Sequence, residues 1–223
     1  MLKELEKDRL SKTAQYAQER LDGLESGHDW WHTHRVLQLT QHIAERENAN
    51  IFICSMAALL HDVDDHKFAS PGCSAAKFET RDFLQDLNMD VSVIDNILYI
   101  IENLSYSAGI DRVVERTVEF QVVQDADRLD AIGAIGIARA FNYGGYKNRP
   151  IYQPGVLPED YATTQDYREG KSSTIMHFYE KLLKLKEAMN TNTAKGIAEL
   201  RHNYLLGFLE RFFQEWEEFT ALH

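Results

Sequence analysis

An apolar run that ends abruptly in two polar residues constrains this chain more than any other feature. Residues 51–60 read IFICSMAALL, and His61 and Asp62 follow directly. The length and composition of the run predict a buried helix. Because a buried polar side chain costs free energy unless it is paired, the His-Asp pair at the end of this helix needs a partner.

A second histidine is predicted to face the protein interior. His32 begins a stripe that continues through Val36, Leu39 and Ile43, and residues at this spacing share one face of a helix. The histidine therefore lies on the apolar side of the helix. A lone histidine there is commonly a hydrogen-bonded core residue, so the stripe by itself assigns no function.

Two aspartates in a third segment offer an inward carboxylate. Asp125 and Asp127 lie in the stretch 122–130, and the small residues of the stretch 131–136 would let another helix approach closely. A carboxylate on such a helix is desolvated unless a cation or hydrogen bonds compensate it. Asp127 is our choice for the inward carboxylate, and Asp125 takes its place if the helical register is shifted.

Taken together, His32, His61, Asp62 and Asp127 form a mixed nitrogen and oxygen donor set. Two imidazoles and two carboxylates suit a divalent cation that keeps coordination positions open for water and an anionic substrate. Manganese, cobalt, nickel, iron and magnesium are all compatible, because selectivity among them depends on geometry and availability. Each residue alone also has an ordinary explanation in the core, so the interpretation rests on the joint pattern.

Three motifs resemble those of the HD-domain metal-dependent phosphohydrolase superfamily, and in particular a branch of small bacterial single-domain proteins. They read His32-x-x-Arg35-Val36, Leu59-Leu60-His61-Asp62 and Asp125-Ala126-Asp127-Arg128-Leu129-Asp130-Ala131. The stretches 28–32 and 62–68 are similar to that branch as well. The resemblance covers nearly the whole chain and implies an all-α HD-domain helical bundle that hydrolyses phosphate esters or anhydrides.

The resemblance also implies how the metal is bound. The resemblance implies that the four residues of the donor set are the metal ligands. It also implies that His28 contacts either these ligands or the substrate. Members of the superfamily with two metals carry additional histidines between the His-Asp pair and the final aspartate, where this chain has only His66. One divalent metal ion is therefore expected.

Asp65 and Lys67 are predicted to take part in the chemistry. Asp65 follows His61 by four residues and Asp62 by three, so it returns to the same face of a continuing helix. We assign Asp65 to water positioning or general acid/base work, and Lys67 supplies positive charge near the metal. A solvated aspartate in an acidic helix end is the alternative for Asp65.

Charged residues around the Asp127 segment are candidates for substrate binding. Arg128 and Arg139 flank this segment, and Asp130 lies one turn beyond Asp127, where it would hold a ligand or a substrate hydroxyl. An enzyme that acts on phosphates needs such cations. For each arginine alone, a surface salt bridge is the ordinary explanation.

The stretch 143–172 is predicted to be a long irregular insertion. It contains three of the four prolines and several glycines, residues that interrupt regular structure. Loops of this length are commonly lids, binding loops or disordered insertions. Lys147 and Arg149 are therefore candidates to close over a phosphate-bearing ligand, and a surface insertion without that role is the alternative.

The whole chain, residues 1–223, is predicted to form one HD-type domain. Its core covers about residues 20–140, and helices over residues 173–220 follow the insertion. Apolar stripes over residues 175–189 and 197–216 predict a C-terminal helical hairpin. If the core leaves part of the aromatic stripe of the second helix uncovered, that face would be the interface of a homodimer.

Composition restricts the class of partner. The formal net charge of -11 argues against a nucleic-acid polymer, which would require a basic face, although a local cationic pocket can still hold a nucleotide. The charged N-terminal residues 1–7 contain no signal-peptide apolar region, and no run is long enough to span a bilayer. We expect a cytoplasmic protein without a membrane partner.

These observations predict a metal-dependent phosphohydrolase that acts on a small phosphorylated metabolite, most simply a nucleotide. A nucleoside triphosphate pyrophosphohydrolase and a nucleoside monophosphate phosphatase are both compatible with the motifs. The alternative class is a non-catalytic, metal-bound module that senses or binds nucleotides. The two classes differ in whether the bound compound is turned over.

Overall fold

The structure is a computed structural model that describes residues 2–23, 29–63, 76–104, 115–158 and 172–217. Within these ranges the chain forms helices and turns without a strand, so the predicted all-α class is confirmed. No helix in them combines the length and apolar composition that crossing a bilayer requires. Contacts divide the chain into two units, Met1–Asp127 and Arg128–His223. The single domain stays a prediction.

The first unit is built around one buried helix. Nine consecutive residues of that helix, from Phe52 to Leu60, are buried, as the apolar run predicts. Three of the surrounding helices, α1, α2 and α5, pack against it. The helices of this unit are α1 (Glu4–Leu21), α2 (Trp30–Arg46), α3 (Ile51–Leu60), α4 (Ala76–Asp86), α5 (Val91–Asn103) and α6 (Val118–Asp130), and the boundary between the units falls within α6.

A capping residue fixes the start of the buried helix α3 and joins it to α6. Asn50 accepts hydrogen bonds through Oδ1 from the backbone N–H groups of Phe52 and Ile53, at 3.1 and 3.2 Å. These bonds satisfy N–H groups that have no partner within the helix. The backbone N–H of Asn50 donates to Glu119 Oε1 at 3.0 Å, so the first turns of α3 and α6 lie side by side.

The second unit has its own core of aromatic rings. Its helices are α7 (Gly133–Tyr146), α8 (Thr174–Glu180), a short 3-10 helix (Leu182–Leu185) and α9 (Asn192–Glu217). Helix α7 packs against α8 and α9. The Phe208 ring from α9 stacks on Phe178 at a centroid distance of 5.7 Å and meets Phe141 edge-on at 5.9 Å.

The irregular stretch predicted from residue 143 begins later than predicted. Helix α7 continues through Tyr146, and the chain leaves it at Lys147. The sequence Gly144-Gly145 suggests a break, but Gly144 is buried and a Cβ atom there would overlap Thr174 Oγ1. The glycine thus permits close packing within a helix. Residues 159–171 of the predicted insertion lie outside the described ranges.

The first arm of the predicted hairpin is divided into two pieces. Helix α8 ends at Glu180, Lys181 adopts φ −136° and ψ −57°, and the 3-10 helix follows. Apolar residues spaced three and four apart suit both an α-helix and a 3-10 helix, because these helices have 3.6 and 3.0 residues per turn. The apolar stripe therefore predicts helical structure here, but it does not predict the break between the two helices at Lys181.

Two glycines of the second unit predict opposite effects of the same substitution. Gly133 has φ +78°, and a Cβ there would lie 3.0 Å from Arg201 Cγ. Gly133→Ala should lower the free energy of unfolding by about 1–2 kcal/mol, the cost of a left-handed residue. Gly196 lies in α9 with no atom within 4 Å of such a Cβ, so Gly196→Ala should raise it by about 1 kcal/mol. Urea unfolding followed by circular dichroism measures both, and changes of equal sign would contradict the prediction.

Candidate metal centre

His32 lies in the first turn of α2, and the residue that caps this helix holds its backbone. Asp29 precedes the helix in an extended conformation, and its Oδ1 accepts a hydrogen bond from the His32 backbone N–H at 2.8 Å. This is the usual geometry of an N-cap aspartate. The His32 side chain is fully buried, as the apolar stripe of α2 predicts.

His61 and Asp62 directly follow the last residue of α3. The Nδ1 atom of His61 lies 2.8 Å from the carbonyl oxygen of Ala58. Since a carbonyl oxygen can only accept a hydrogen bond, Nδ1 must carry the proton. The neutral ring then has its lone pair on Nε2, and this hydrogen bond also fixes the orientation of the imidazole.

The four residues of the predicted donor set converge within the first unit. The Nε2 atoms of His32 and His61 are 3.3 Å apart, and Asp62 Oδ2 lies 3.3 Å from the first and 3.2 Å from the second. Asp127 Oδ1 lies 3.5 Å from His32 Nε2. Donor atoms of His32, His61 and Asp127 all lie within 4.8 Å of one another, which makes these three residues a candidate metal site.

These separations fit donors that share one cation. Two donors that are each about 2.1 Å from an ion lie about 3.0 Å apart at a right angle and about 3.4 Å apart at a tetrahedral angle. The separations of 3.2–3.5 Å among the Nε2 and carboxylate oxygen atoms fall at or near this range. The chemistry of the set also fits, because imidazole and carboxylate are ligands that divalent transition metals accept.

The donor cluster is covered on most sides. The side chains of His61 and Asp62 are 5% and 8% exposed, and that of His32 is 0% exposed. Asp127 differs, since 37% of its side chain is exposed. The cluster therefore meets solvent at Asp127, and a ligand that replaced water on a bound cation would approach from that side.

Electrostatic coupling within the cluster changes the pKa values of its members. Burial alone would lower the pKa of His61, but the Asp62 carboxylate, with a smaller effect of Asp127, raises it above its ordinary value. Burial alone would raise the pKa of Asp127, yet the hydrogen bond from His32 and the charge of His61 hold it well below its usual range. Both shifts favour a protonated histidine beside an ionised aspartate.

Several predicted site residues do not belong to this cluster or lie outside the described ranges. Asp125 is buried, but the group of mutually close donor atoms contains Asp127 instead, so the shifted register is wrong. Asp65, Lys67 and His28 lie outside the described ranges. Their assigned roles in catalysis and substrate contact stay predictions.

Three of the predicted substrate contacts have protein partners in the second unit. Arg139 Nη1 donates to Asp130 Oδ2 at 2.9 Å, and the Asp130 side chain is only 2% exposed. Arg128 Nη1 donates to the carbonyl oxygen of Ala188. These bonds give each residue a structural function, and their role in substrate binding stays a prediction.

The other two predicted contacts lie beside tyrosine rings at the end of α7. Lys147 Nζ is 5.7 Å from the centroid of the Tyr143 ring and 5.2 Å from that of Tyr146. Arg149 Cζ is 5.8 Å from the Tyr143 centroid. These cation–π contacts orient the two side chains, and their contact with a phosphate stays a prediction.

Two groups that position the ligands were not assigned from the sequence. The N-cap role of Asp29 has a local signal, an aspartate directly before the first residue of an apolar helical stripe. The hydrogen bond from His61 to the Ala58 carbonyl has no such signal, because every residue has a carbonyl group. Only the structure identifies that acceptor.

Comparison with known proteins identifies the family. The model of the HD domain matches residues 30–132, a range that contains every residue of the donor cluster. A solved structure from Lactobacillus plantarum is 39% identical, covers 98% of this chain and 100% of its own, and superposes with a TM-score of 0.85. A Bacillus thuringiensis structure named an HD-superfamily hydrolase is 41% identical, with 95% and 98% coverage and a TM-score of 0.74.

A third relative was solved with a ligand. The structure of Bacillus subtilis YpgQ in complex with ADP is 34% identical, covers 95% of this chain and 96% of its own, and gives a TM-score of 0.76. This chain belongs to the HD-domain superfamily, and it has the fold of the superfamily's hydrolases. HD domains bind divalent metals, and the candidate site at His32, His61 and Asp127 agrees with this property.

The capping bond at His32 predicts a specific sensitivity of metal binding to Asp29. Asp29→Ala should lower the free energy of unfolding by about 1 kcal/mol, the typical value of an N-cap. It should also weaken binding of manganese, by up to the ~10–100-fold that loss of a ligand's supporting partner causes. Asp29→Ser retains a capping oxygen and should behave like the wild type. Isothermal titration with manganese tests this, and equal affinities of the alanine variant and the wild type would contradict it.

The raised pKa of His61 predicts that acid weakens metal binding. A proton and a cation compete for Nε2, so metal affinity is full above the pKa of the metal-free site and falls as the pH decreases through it. The loss should begin at a higher pH than an ordinary histidine would give. Titrations with cobalt between pH 8 and pH 5.5 measure the dependence, and an affinity independent of pH would be evidence against a histidine ligand.

Proposed function

We propose that this chain is a metal-dependent phosphohydrolase whose substrate is a nucleotide. The supporting observation is the convergence of His32 Nε2, His61 Nε2 and Asp62 Oδ2 at 3.2–3.3 Å, with Asp127 Oδ1 3.5 Å from His32 Nε2, inside the first unit. Membership in the HD superfamily, in which a similar solved structure is named a hydrolase, supports the reaction class. The identity of the metal and the bond that is cleaved form part of the proposal.

The four side chains of the cluster differ in their exposure to solvent, and in this proposal they differ in their role. His32, His61 and Asp62 are almost completely covered, so they bind the ion from the protein side. Asp127 completes the set at its exposed edge. When bound, the ion lowers the pKa of a coordinated water and neutralises charge on phosphate oxygens.

Charge explains why the cluster needs an ion before it can accept a phosphate. Asp62 and Asp127 place two negative charges at the centre, and the chain carries a net charge of -11. A phosphate would be repelled by these groups in the absence of a cation. In this proposal Lys67 contributes positive charge, and Asp65 orients the attacking water or moves its proton.

The choice of a nucleotide is supported by a relative. YpgQ, which aligns with 95% of this chain, was crystallised with ADP. ADP contains both a phosphoanhydride and a phosphate ester, so it is compatible with a nucleoside triphosphate pyrophosphohydrolase and with a monophosphatase. A nucleotide-binding module without turnover would also bind such a ligand, and the test must separate these activities.

The test is a panel of nucleoside mono-, di- and triphosphates incubated with protein that has been freed of metal and then loaded with manganese or cobalt. We expect turnover of at least one compound and none in the presence of a chelator. Phosphorus NMR then distinguishes release of pyrophosphate from release of orthophosphate. Tight binding of a nucleotide without turnover would establish the binding module instead, and failure to bind any metal would overturn the proposal.

Substitution of the ligands should remove the activity. His61→Ala and Asp62→Asn should each lower kcat/KM by more than the ~100-fold that marks the loss of a mere supporting partner, because each removes a direct donor to the ion. His42→Ala is a matched control, since His42 is an exposed histidine on α2 that hydrogen-bonds with Arg46. Full activity of both ligand variants would refute the assigned site.

A further inference from the structure

Two arginines from different helices bind the last turn of α6. Arg201 on α9 donates from Nη1 to the backbone carbonyl oxygen of Leu129 at 2.5 Å. Arg139 on α7 donates to the Asp130 carboxylate at 2.9 Å. Carbonyl groups in the last turn of a helix lack partners within the helix, and the helix dipole favours a cation there. The two arginines therefore stabilise the end of α6.

The Arg201 side chain is partly buried, and a glycine provides the space for it. Burial lowers the pKa of the guanidinium, and the nearby charge of Asp130 opposes this effect. Gly133 has φ +78°, and a Cβ atom there would lie 3.0–3.3 Å from the Cβ, Cγ and Cδ atoms of Arg201. The stem of the arginine thus packs directly over this glycine. These contacts distinguish Arg201 from an arginine in an exposed salt bridge, which contributes little to stability.

The turn that Arg201 binds also carries a member of the donor cluster. Asp127 lies two residues before Leu129 on the same helix. Its side chain is 37% exposed, whereas the other three side chains of the cluster are at most 8% exposed. Fewer neighbouring atoms therefore restrain the Asp127 carboxylate. Its position depends more strongly on the backbone of α6 than the positions of the buried donors depend on theirs.

Helix α6 is restrained at its other end as well. Its first turn is joined to α3 by the hydrogen bond from the Asn50 backbone N–H to Glu119 Oε1 at 3.0 Å. Arg201 restrains the last turn, which contains Asp127. A displacement of that turn would move the Asp127 carboxylate away from its position 3.5 Å from His32 Nε2. A bond at the end of α6 can therefore act on the donor cluster.

We propose that Arg201 is a positioning residue for the metal centre, because it holds the last turn of α6 where the Asp127 carboxylate completes the donor set. This inference rests on the metal centre of the proposed function and goes beyond it. Arg201 lies outside residues 30–132, the range that the HD-domain model matches. Loss of its bond should displace Asp127 and leave the other three donors in place.

The first test compares metal affinity with stability in two matched variants. Arg201→Met retains most of the stem and removes the charge and the donors. Arg9→Met is the control, since Arg9 Nε donates to the carbonyl oxygen of Leu87 at 3.1 Å, directly after α4, which contains none of the four cluster residues. Urea unfolding measures stability, and isothermal titration of metal-free protein measures the affinity for manganese.

Both variants should unfold at a lower urea concentration than the wild type, because each loses a bond at a helix end. Only Arg201→Met should bind manganese more weakly. We expect a loss of about tenfold, the lower end of the ~10–100-fold that removal of a ligand's supporting partner causes. Wild-type manganese affinity in Arg201→Met, or an equal loss of affinity in both variants, would overturn the proposal.

A double-mutant cycle tests whether the effect passes through Asp127. Arg201→Met is combined with Asp127→Asn, and nickel serves as the metal because nitrogen and oxygen donors bind it more tightly than manganese. Arg201→Met should lower the nickel affinity about tenfold alone, and by no more than about twofold in the Asp127→Asn background, because effects of coupled residues do not add. An equal loss in both backgrounds would contradict positioning of Asp127.

The spectrum of bound cobalt gives a readout of the coordination itself. The visible absorption of this ion depends on the number and arrangement of its ligands, so it should change in Arg201→Met and stay unchanged in Arg9→Met. Arg201→Lys retains the charge and one donor group, and its nickel affinity should lie between those of the wild type and Arg201→Met. If Arg201→Met does not fold, wild-type affinity and spectrum in Arg201→Lys would overturn the proposal.

These readouts separate failure of this inference from failure of the proposed function. If the wild type binds metal and turns over no phosphate compound, the proposed function fails, and the affinities and spectra still decide the role of Arg201. If the wild type turns over a nucleotide and Arg201→Met binds metal with the wild-type affinity and spectrum, the positioning role fails and the proposed function stands.

Discussion

The structure of the first unit depends on a cluster of groups that would not lie together without a reason. His32 Nε2 lies 3.3–3.5 Å from His61 Nε2, Asp62 Oδ2 and Asp127 Oδ1, and three of the four side chains are almost fully covered. Removing charged groups from water is costly unless opposite charge compensates them. The Asp62 carboxylate raises the pKa of His61, so a proton on this ring is favoured and would offset part of that cost. A divalent cation at this cluster would offset more of it, since it carries two positive charges.

The residues of the cluster lie in the first turn of one helix and at or near the ends of two others. The apolar helix α3 is buried along almost its whole length, so its last turn brings His61 and Asp62 to the interior. The N-cap of α2 fixes the backbone of His32, and the bond between Asn50 and Glu119 places the start of α6 beside the start of α3. Helix ends carry backbone groups without helical partners. The capping residues satisfy those groups, and Asp29 also fixes the backbone of His32.

The sequence predicts the donor set better than it predicts the boundaries of the elements. The stripe of His32 and the abrupt end of the run before His61 are signals of burial, and burial of polar residues points to a site. Asp125 and Asp127 could not be separated by pattern alone. They lie two residues apart on one helix, and only its packing decides which carboxylate reaches the histidines. The resemblance to the HD superfamily implies Asp127, and the group of mutually close donor atoms contains Asp127 and not Asp125.

Other features escaped prediction because their causes are not local. Gly144 looks like a helix breaker, and only its overlap with Thr174 shows that a glycine is needed there for packing. Lys181 interrupts an apolar stripe that is continuous in sequence. The acceptor for His61 is a backbone carbonyl, and because every residue has one, the residue type does not predict this hydrogen bond. These are tertiary contacts, and propensity or periodicity carries no information about them.

The partner of His61 also bears on the chemistry of the centre. When the Nδ1–H of a histidine ligand donates to a carboxylate, a backbone carbonyl or a water, the bond fixes the tautomer and the ring direction and raises the basicity of Nε2. His61 uses the carbonyl of Ala58. Among the four side chains of the cluster, Asp62 and Asp127 are the ones that carry negative charge. Imidazole and carboxylate donors are compatible with several divalent metals, because selectivity among these metals depends on geometry, ligand type and availability.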